Sequence, residues 1–238
     1  MKIDAELPGA RVVFSTRQGG VSDAPYESLN IGVTTGDQPE NVAENRRRLA
    51  EACGLDPSRV ATGRQVHEAN LQEWTSPPEN GSGYGEPGAP LEKVDGHGTD
   101  LAGLGLLVLV ADCLPVALAG AGRVAMLHCG WRPLVAGIVD RALASFDQPP
   151  AAIVGPGICQ DCYEVGPEVL QAFADLDGVA DGRMLDLRAV AEQKLRAAGV
   201  ESVGHVDLCT QCRPDLFFSH RRDGPDTGRQ AGIVWRTE

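Results

Sequence analysis

Apolar positions along the 238-residue chain fall into short runs whose period changes several times. Arg11-Val12-Val13-Phe14-Ser15-Thr16 has the β-branched and aromatic content of a strand, and a turn at Gly19-Gly20 follows it. From Asp37 to Leu55 the spacing becomes helical. Val42, Leu49 and Cys53 share a face, Asp37 or Gln38 can cap, Pro39 suits the first turn, and Gly54 ends the segment. Strands are expected over Val60 to Val66, ending at His67, and over Asn70 to Trp74. Ser76 to Pro90 is rich in Pro and Gly without periodicity and reads as a surface loop inside a domain.

The most informative stretch runs from Gly105 to Trp131. A buried run comes first, then two short apolar segments joined by Gly120-Ala121-Gly122, which signals a hairpin. Centred on Ala121, that hairpin sets Leu114 opposite His128 and Cys113 opposite Cys129, so a thiol and an imidazole meet at its open end. Helices are expected over Arg132 to Phe146, Pro167 to Leu176 and Leu187 to Ala198, the last stopped by Gly199, and a closing strand at Ile233-Val234-Trp235. Nothing repeats at a fixed period.

Composition narrows the class. Aromatic residues make up 5% against 29 glycines, which favours a turn-rich α/β or α+β protein over a helical bundle. The formal net charge of −12 leaves no excess of cations to displace the counterions of a polynucleotide, so no nucleic-acid partner is expected. No membrane partner is expected either: the apolar run from Leu104 is interrupted by Asp112, Cys113 and Pro115 and is too short to span a bilayer. Met1 to Glu6 has no signal-peptide core, and the expected location is the cytoplasm. There thiols stay reduced, and seven cysteines, an odd number, point to metal or catalysis rather than disulfides.

Three constellations could carry chemistry. His67 at a strand end, with Cys113 and His128 from one hairpin, would give zinc three ligands and leave a fourth position open. A metal-free reading of the same residues makes Cys113 a nucleophile and His128 its base; a third leaves both as ordinary packing residues. Cys129 competes with Cys113, but strand alternation turns it away from the face His128 occupies. The pairs Cys159/Cys162 and Cys209/Cys212 invite comparison with zinc knuckles. About fifty residues intervene where roughly 15–20 are usual, which favours ordinary packing. Finally, Phe217 to Gly224 presents Arg221 and Arg222 beside a glycine turn, suited to clamping an oxyanion, although a lone Arg-Arg is more often a solvated turn.

Taken together the motifs are no longer generic. Phe14-Ser15-Thr16-Arg17 with Gly19-Gly20, Ser28 to Gly32, Asn45-Arg46, Gln65-Val66-His67, Ala111 to Pro115, His128 to Arg132, Gly155 to Ile158 with Tyr163 to Gly166, Cys209-Thr210 and Phe217 to Gly224 occur in the order of one family. The sequence resembles the YfiH-like laccase-domain family, once called multicopper polyphenol oxidases and also known as purine nucleoside phosphorylases. The resemblance implies an α+β fold, a single domain over residues 1–238 with mixed β-sheets sandwiched between helices in α/β/β/α layers. It implies zinc on His67, Cys113 and His128, with nucleoside and phosphate as small-molecule partners. It also implies phosphorolysis of adenosine, inosine, guanosine and methylthioadenosine, and deamination of adenosine. Arg46, Arg221 and Arg222 are the candidate substrate-binding residues, and Asp112 or His67 the candidates for proton handling.

Two other activities stay open, an amidase acting on cell-wall precursor peptides and a copper-dependent polyphenol oxidase. The second fares poorly on arithmetic. A laccase needs about ten histidines in His-x-His pairs, and this chain has five histidines and no such pair. Copper could still substitute at a single site, since divalent copper outranks zinc in affinity. The sequence leaves the oligomeric state open.

Overall fold

The computed structural model describes residues 1–78, 83–85 and 91–237. Strands β1 (Lys2–Leu7) and β2 (Ala10–Ser15) open it, followed by helix α1 (Pro39–Cys53). Next come β3 (Val60–Ala61), β4 (Leu71–Trp74), β5 (Gly96–Thr99), β6 (Gly105–Val110), β7 (Leu114–Gly120) and β8 (Arg123–Cys129). Helices α2 (Trp131–Val135) and α3 (Ile138–Leu143) lead to β9 (Ala151–Val154) and α4 (Pro167–Gln171). A small hairpin of β10 (Ala180–Asp181) and β11 (Met184–Leu185) precedes α5 (Leu187–Ala197). The order closes with β12 (Val203–His205), α6 (His220–Asp223) and β13 (Gln230–Arg236).

Period-two alternation sorts these strands into layers. One mixed sheet runs β1-β2-β13-β6-β3 and a second β12-β9-β7-β8-β5-β4. Val12, Phe14, Leu106, Val108 and Val234 of the first sheet meet Ala117, Ala119, Val124, Met126 and Ile153 of the second. Each fully buried aliphatic side chain in such a layer contributes about 1.5–3 kcal/mol relative to exposure. On β7 the alternate residues Val116 and Leu118 face the other way and join Leu127 and Val154 beneath α2, α3, α4 and α5. Leu49, Ala50 and Cys53 of α1 cover Val13, Leu107, Ile233 and Trp235 on the outer face of the first sheet. The layers are therefore α/β/β/α, the arrangement the resemblance implies.

Local departures from the sequence expectation have local causes. The β7–β8 hairpin turns on two residues, not three. Ala121 and Gly122 both adopt left-handed backbone (φ 49° and 78°), and Gly120 pairs with Arg123. That is the backbone of a two-residue turn matched to strand twist. The register moves by one accordingly: Leu114 lies opposite Cys129, and Pro115 opposite His128. The helix expected over Arg132 to Phe146 is two short helices, because Gly137 between them takes φ 82°. The expected Val60–Val66 strand pairs only through Ala61, with one further bridge from Arg64 to Lys93. The expected loop Ser76–Pro90 lies largely outside the described residues. Within it Tyr84 is buried, its hydroxyl donating to the Arg46 carbonyl at 2.9 Å.

Candidate metal centre and active-site cavity

Four segments converge at one end of the second sheet. His128 is the penultimate residue of β8, Cys113 sits immediately before β7, Asp95 immediately before β5, and His67 in the turn between β3 and β4. The ligand atoms of His67, Cys113 and His128 all lie within 4.8 Å of one another. The two imidazole rings meet edge to face with centroids 4.8 Å apart. His128 is buried, Cys113 partly buried and His67 exposed, so the trio opens on one side.

Two of the turns that deliver these side chains are strained. His67 and Asp112 have φ of 60° and 91°, a region that costs a non-glycine residue about 1–3 kcal/mol. Hydrogen bonds hold both in place. The fully buried Asp95 carboxylate accepts the backbone N–H groups of Val66, His67 and Glu68 at 3.0, 3.0 and 2.9 Å. The Asp112 carboxylate accepts from Thr210 Oγ1 at 2.6 Å and from the Arg221 N–H at 2.7 Å. Gln65 acts as a surrogate strand pair: its amide donates to the Leu109 carbonyl and accepts the Leu109 N–H, both at 2.7 Å. Gly130 is required by space, since a Cβ there would stand 2.8 Å from Cys113 Sγ.

Asp95 does a second job. Its Oδ1 lies 2.7 Å from His128 Nδ1, so that nitrogen donates to the carboxylate, and Nε2 is the one a metal would take once its proton is displaced. Burial disfavours the charged imidazole, but the Cys113 thiolate and Asp95 outweigh it and raise His128 to about 9. Burial likewise opposes the Cys113 thiolate, and the imidazoles of His128 and His67 overcome it, bringing the thiol down to about 6. Cys129 is different. It points into the core beneath the helices, and burial pushes its thiol far up.

The trio forms part of the wall of a cavity of about 940 Å³. Leu91, Leu109, Val110, Trp131, Ile158 and Leu187 supply its apolar surface, and Arg46, Arg64, Arg132, Arg221 and Arg229 converge on it. Arg221 stacks over the Tyr163 ring, 4.6 Å from its centroid, and donates to the Glu164 carbonyl. Arg46 is buried against the carbonyls of Ile31, Gly83 and Tyr84, yet its Nη2 has no partner among the described residues. Arg222 does not line the cavity. Its guanidinium holds the Thr210, Gln211 and Phe217 carbonyls and the Asp223 carboxylate.

Of the residues the sequence singled out, the fold brings His67, Cys113, His128, Arg46 and Arg221 to one cavity and leaves Arg222, expected there as a substrate ligand, behind it. Sequence reasoning missed Asp95 altogether, because an aspartate preceding a strand carries no signature. Arg132 lay inside a quoted motif without a role and Arg229 lies five residues beyond the last of them, and only the fold turns both toward the trio's cavity. His97, two residues beyond Asp95, is a core histidine: burial drives it down to about 4, and it accepts from Trp74 Nε1 at 3.2 Å.

Residues 11–237 match the family described as multi-copper polyphenol oxidoreductase laccase. Purine nucleoside phosphorylase YfiH of Escherichia coli is 38% identical over 95% of this chain and 94% of its own. A purine nucleoside phosphorylase of Streptomyces coelicolor is 39% identical over 95% and 96%. Among solved structures, YlmD from Geobacillus stearothermophilus superposes with a TM-score of 0.89 at 33% identity, covering 98% of this chain and 93% of that one. Match of sequence and fold over nearly the whole length leads to one conclusion: the chain belongs to the laccase-domain family whose curated relatives are named purine nucleoside phosphorylases.

Proposed function

We propose that this protein is a zinc-dependent enzyme of purine nucleosides, splitting adenosine, inosine, guanosine and methylthioadenosine with phosphate and separately deaminating adenosine. One observation carries the reading. In a chain of net charge −12, five arginines converge on a single cavity whose wall also holds a His₂Cys trio. Arginines gathered against that overall charge suit an oxyanion, and the apolar wall beside them suits a flat base. The names of the relatives agree with both.

The donor set fits zinc. It offers two imidazoles and one thiol already held down at about 6, with His128 Nε2 the nitrogen a metal would take and an open side toward the cavity. Zinc bound there supplies a Lewis acid beside the substrate. The remaining work falls to side chains. Arg221, fixed above Tyr163, and Arg46, through its unpartnered Nη2, hold phosphate in this reading. Arg132 and Arg229 extend the same positive wall. Tyr163 stays protonated because burial lifts its hydroxyl to about 12. Asp112 is occupied by Thr210 and the Arg221 N–H, so it braces the Cys113 turn and is unsuited to moving protons.

A thiol held at about 6 is roughly thirtyfold richer in thiolate at neutral pH than an ordinary cysteine, which also supports the metal-free alternative, with Cys113 as nucleophile. Incubation with adenosine and phosphate decides between them. Release of adenine with ribose 1-phosphate, formation of inosine, and loss of both on chelation with recovery on added zinc are expected. Activity that survives chelation would favour the thiol, and hydrolysis of a cell-wall precursor amide without nucleoside turnover would replace this reading with an amidase. Arg221→Ala should raise the KM for phosphate about tenfold, one charge-assisted hydrogen bond's worth, and leave deamination nearly unchanged.

A further inference from the structure

Four cysteines outside the cavity have no part in that chemistry. Cys159 and Cys162 flank a short turn after β9, and Cys209 and Cys212 lie in the loop after β12. β9 and β12 are parallel neighbours, Val154 opposite His205, so their following loops leave the sheet side by side. The pairing continues beyond the strands. Gly157 bridges Cys209, with the Gly157 N–H on the Leu208 carbonyl at 3.3 Å and the Thr210 N–H on the Gly157 carbonyl at 3.1 Å. The long sequence separation that argues against paired knuckles is thus closed by a parallel strand pair.

The four sulfurs lie within 4.8 Å of one another. Cys212 Sγ is 3.5 Å from Cys162 Sγ and 3.9 Å from Cys159 Sγ. Zinc bonded at about 2.3 Å to four sulfurs in a tetrahedron sets them about 3.8 Å apart. Cys209 Sγ also accepts the backbone N–H groups of Cys159 at 3.3 Å and Cys212 at 3.5 Å. Backbone donors aimed at a sulfur favour its thiolate, the form a metal requires.

We propose that Cys159, Cys162, Cys209 and Cys212 bind one zinc ion as a closed structural site that staples the loop after β9 to the loop after β12. Each thiol gives up its proton on binding, and no electrons move. The staple holds parts that reach the cavity. Tyr163 follows Cys162 directly, and Thr210 follows Cys209 and donates to the Asp112 carboxylate beside Cys113. The knuckle zinc positions these groups and leaves no coordination place for substrate.

Metal analysis of the full chain tests this without any activity assay. The protein purified without added metal should carry about two zinc per chain, and the double variant His67→Ala/His128→Ala about one. X-ray absorption on that variant should show an all-sulfur shell at about 2.3 Å. Cys212→Ser should lose one equivalent and lower Tm by several degrees. If that variant fails to fold, the double histidine variant still decides. Its containing no zinc, zinc with nitrogen or oxygen neighbours, or coloured iron would overturn the proposal. So would an unreduced chain two hydrogens lighter per bridge, because the four cysteines would then be disulfides.

Discussion

The chain gathers cysteine ligands in two places, and the places are built on opposite plans. At the cavity, one sulfur and two imidazoles come from three separate segments, two of them strained, and the side facing the cavity is open. At the knuckles, four sulfurs come from two adjoining loops, unstrained and closed on one another, with backbone N–H groups turned inward. The comparison teaches how a fold separates reactivity from rigidity. A site meant to accept a substrate is held by carboxylates around it, Asp95 and Asp112, whereas a site meant only to hold is made of ligands alone.

The sharpest way to break this contrast is to exchange neighbours at the cavity. Cys113→Ala should lower kcat/KM for adenosine phosphorolysis by about 10³-fold or more, the several kcal/mol expected of a lost metal ligand. Tm should move little, since Cys113 is outside the core. Cys129→Ala should do the reverse, leaving kcat/KM within about twofold and destabilising by about 1 kcal/mol, because its sulfur packs in the helix-covered core. If Cys129→Ala were the inactive variant, the sulfur facing the site would have been misassigned.

A smaller effect sharpens it further. Asp95→Asn keeps the shape but places an amide where backbone N–H groups from Val66 and Glu68 donate. Two donors then face each other and the His67 turn loosens, while His128 loses its charged partner. A 10- to 100-fold loss in zinc affinity, read by chelator competition, is expected. An unchanged affinity would mean that the aspartate supports the fold and leaves the ligands alone. The knuckle zinc, with no such carboxylate, should be unaffected in the same titration.

How much of this was legible beforehand depended on the range of each interaction. α1 could be read in full because Pro39 and Gly54 punctuate it locally; Gly54 takes φ 69° and closes the helix. The hairpin was legible but its register was not, since Gly120-Ala121-Gly122 allows a two- or three-residue turn and only pairing chooses. Of the site, His67, Cys113 and His128 were readable as residue types at strand ends. Asp95 and Arg229 were not, because Asp95 acts through contacts 27 to 33 residues away in the chain and Arg229 through a cavity that only the fold assembles. The clustering of the four knuckle cysteines was not legible for the same reason: adjacency of β9 and β12 is a property of the sheet, invisible in spacing.

The smallest effect is a titration, and it separates the Cys113–His128 pair from every other thiol. In the metal-free chain Cys113 is depressed from 9.0 to about 6, so its stabilising contribution appears as pH rises from about 6 toward 9. His128 is raised from 6.5 to about 9, so its contribution is complete below 6.5 and is lost as pH rises toward 9. Over that window folded and unfolded chains bind the same number of protons at these two groups. The slopes cancel, and a melting experiment is blind to the pair. Thiol reactivity is not, since alkylation needs the thiolate. The rate at Cys113, mapped by peptide mass, should rise through a midpoint near 6 and stay level above it. His128→Ala should move that midpoint upward, and zinc should protect the sulfur throughout. A midpoint near an ordinary thiol's in the unsubstituted chain would mean the imidazoles do not hold the thiolate, and zinc would have to displace the Cys113 proton itself.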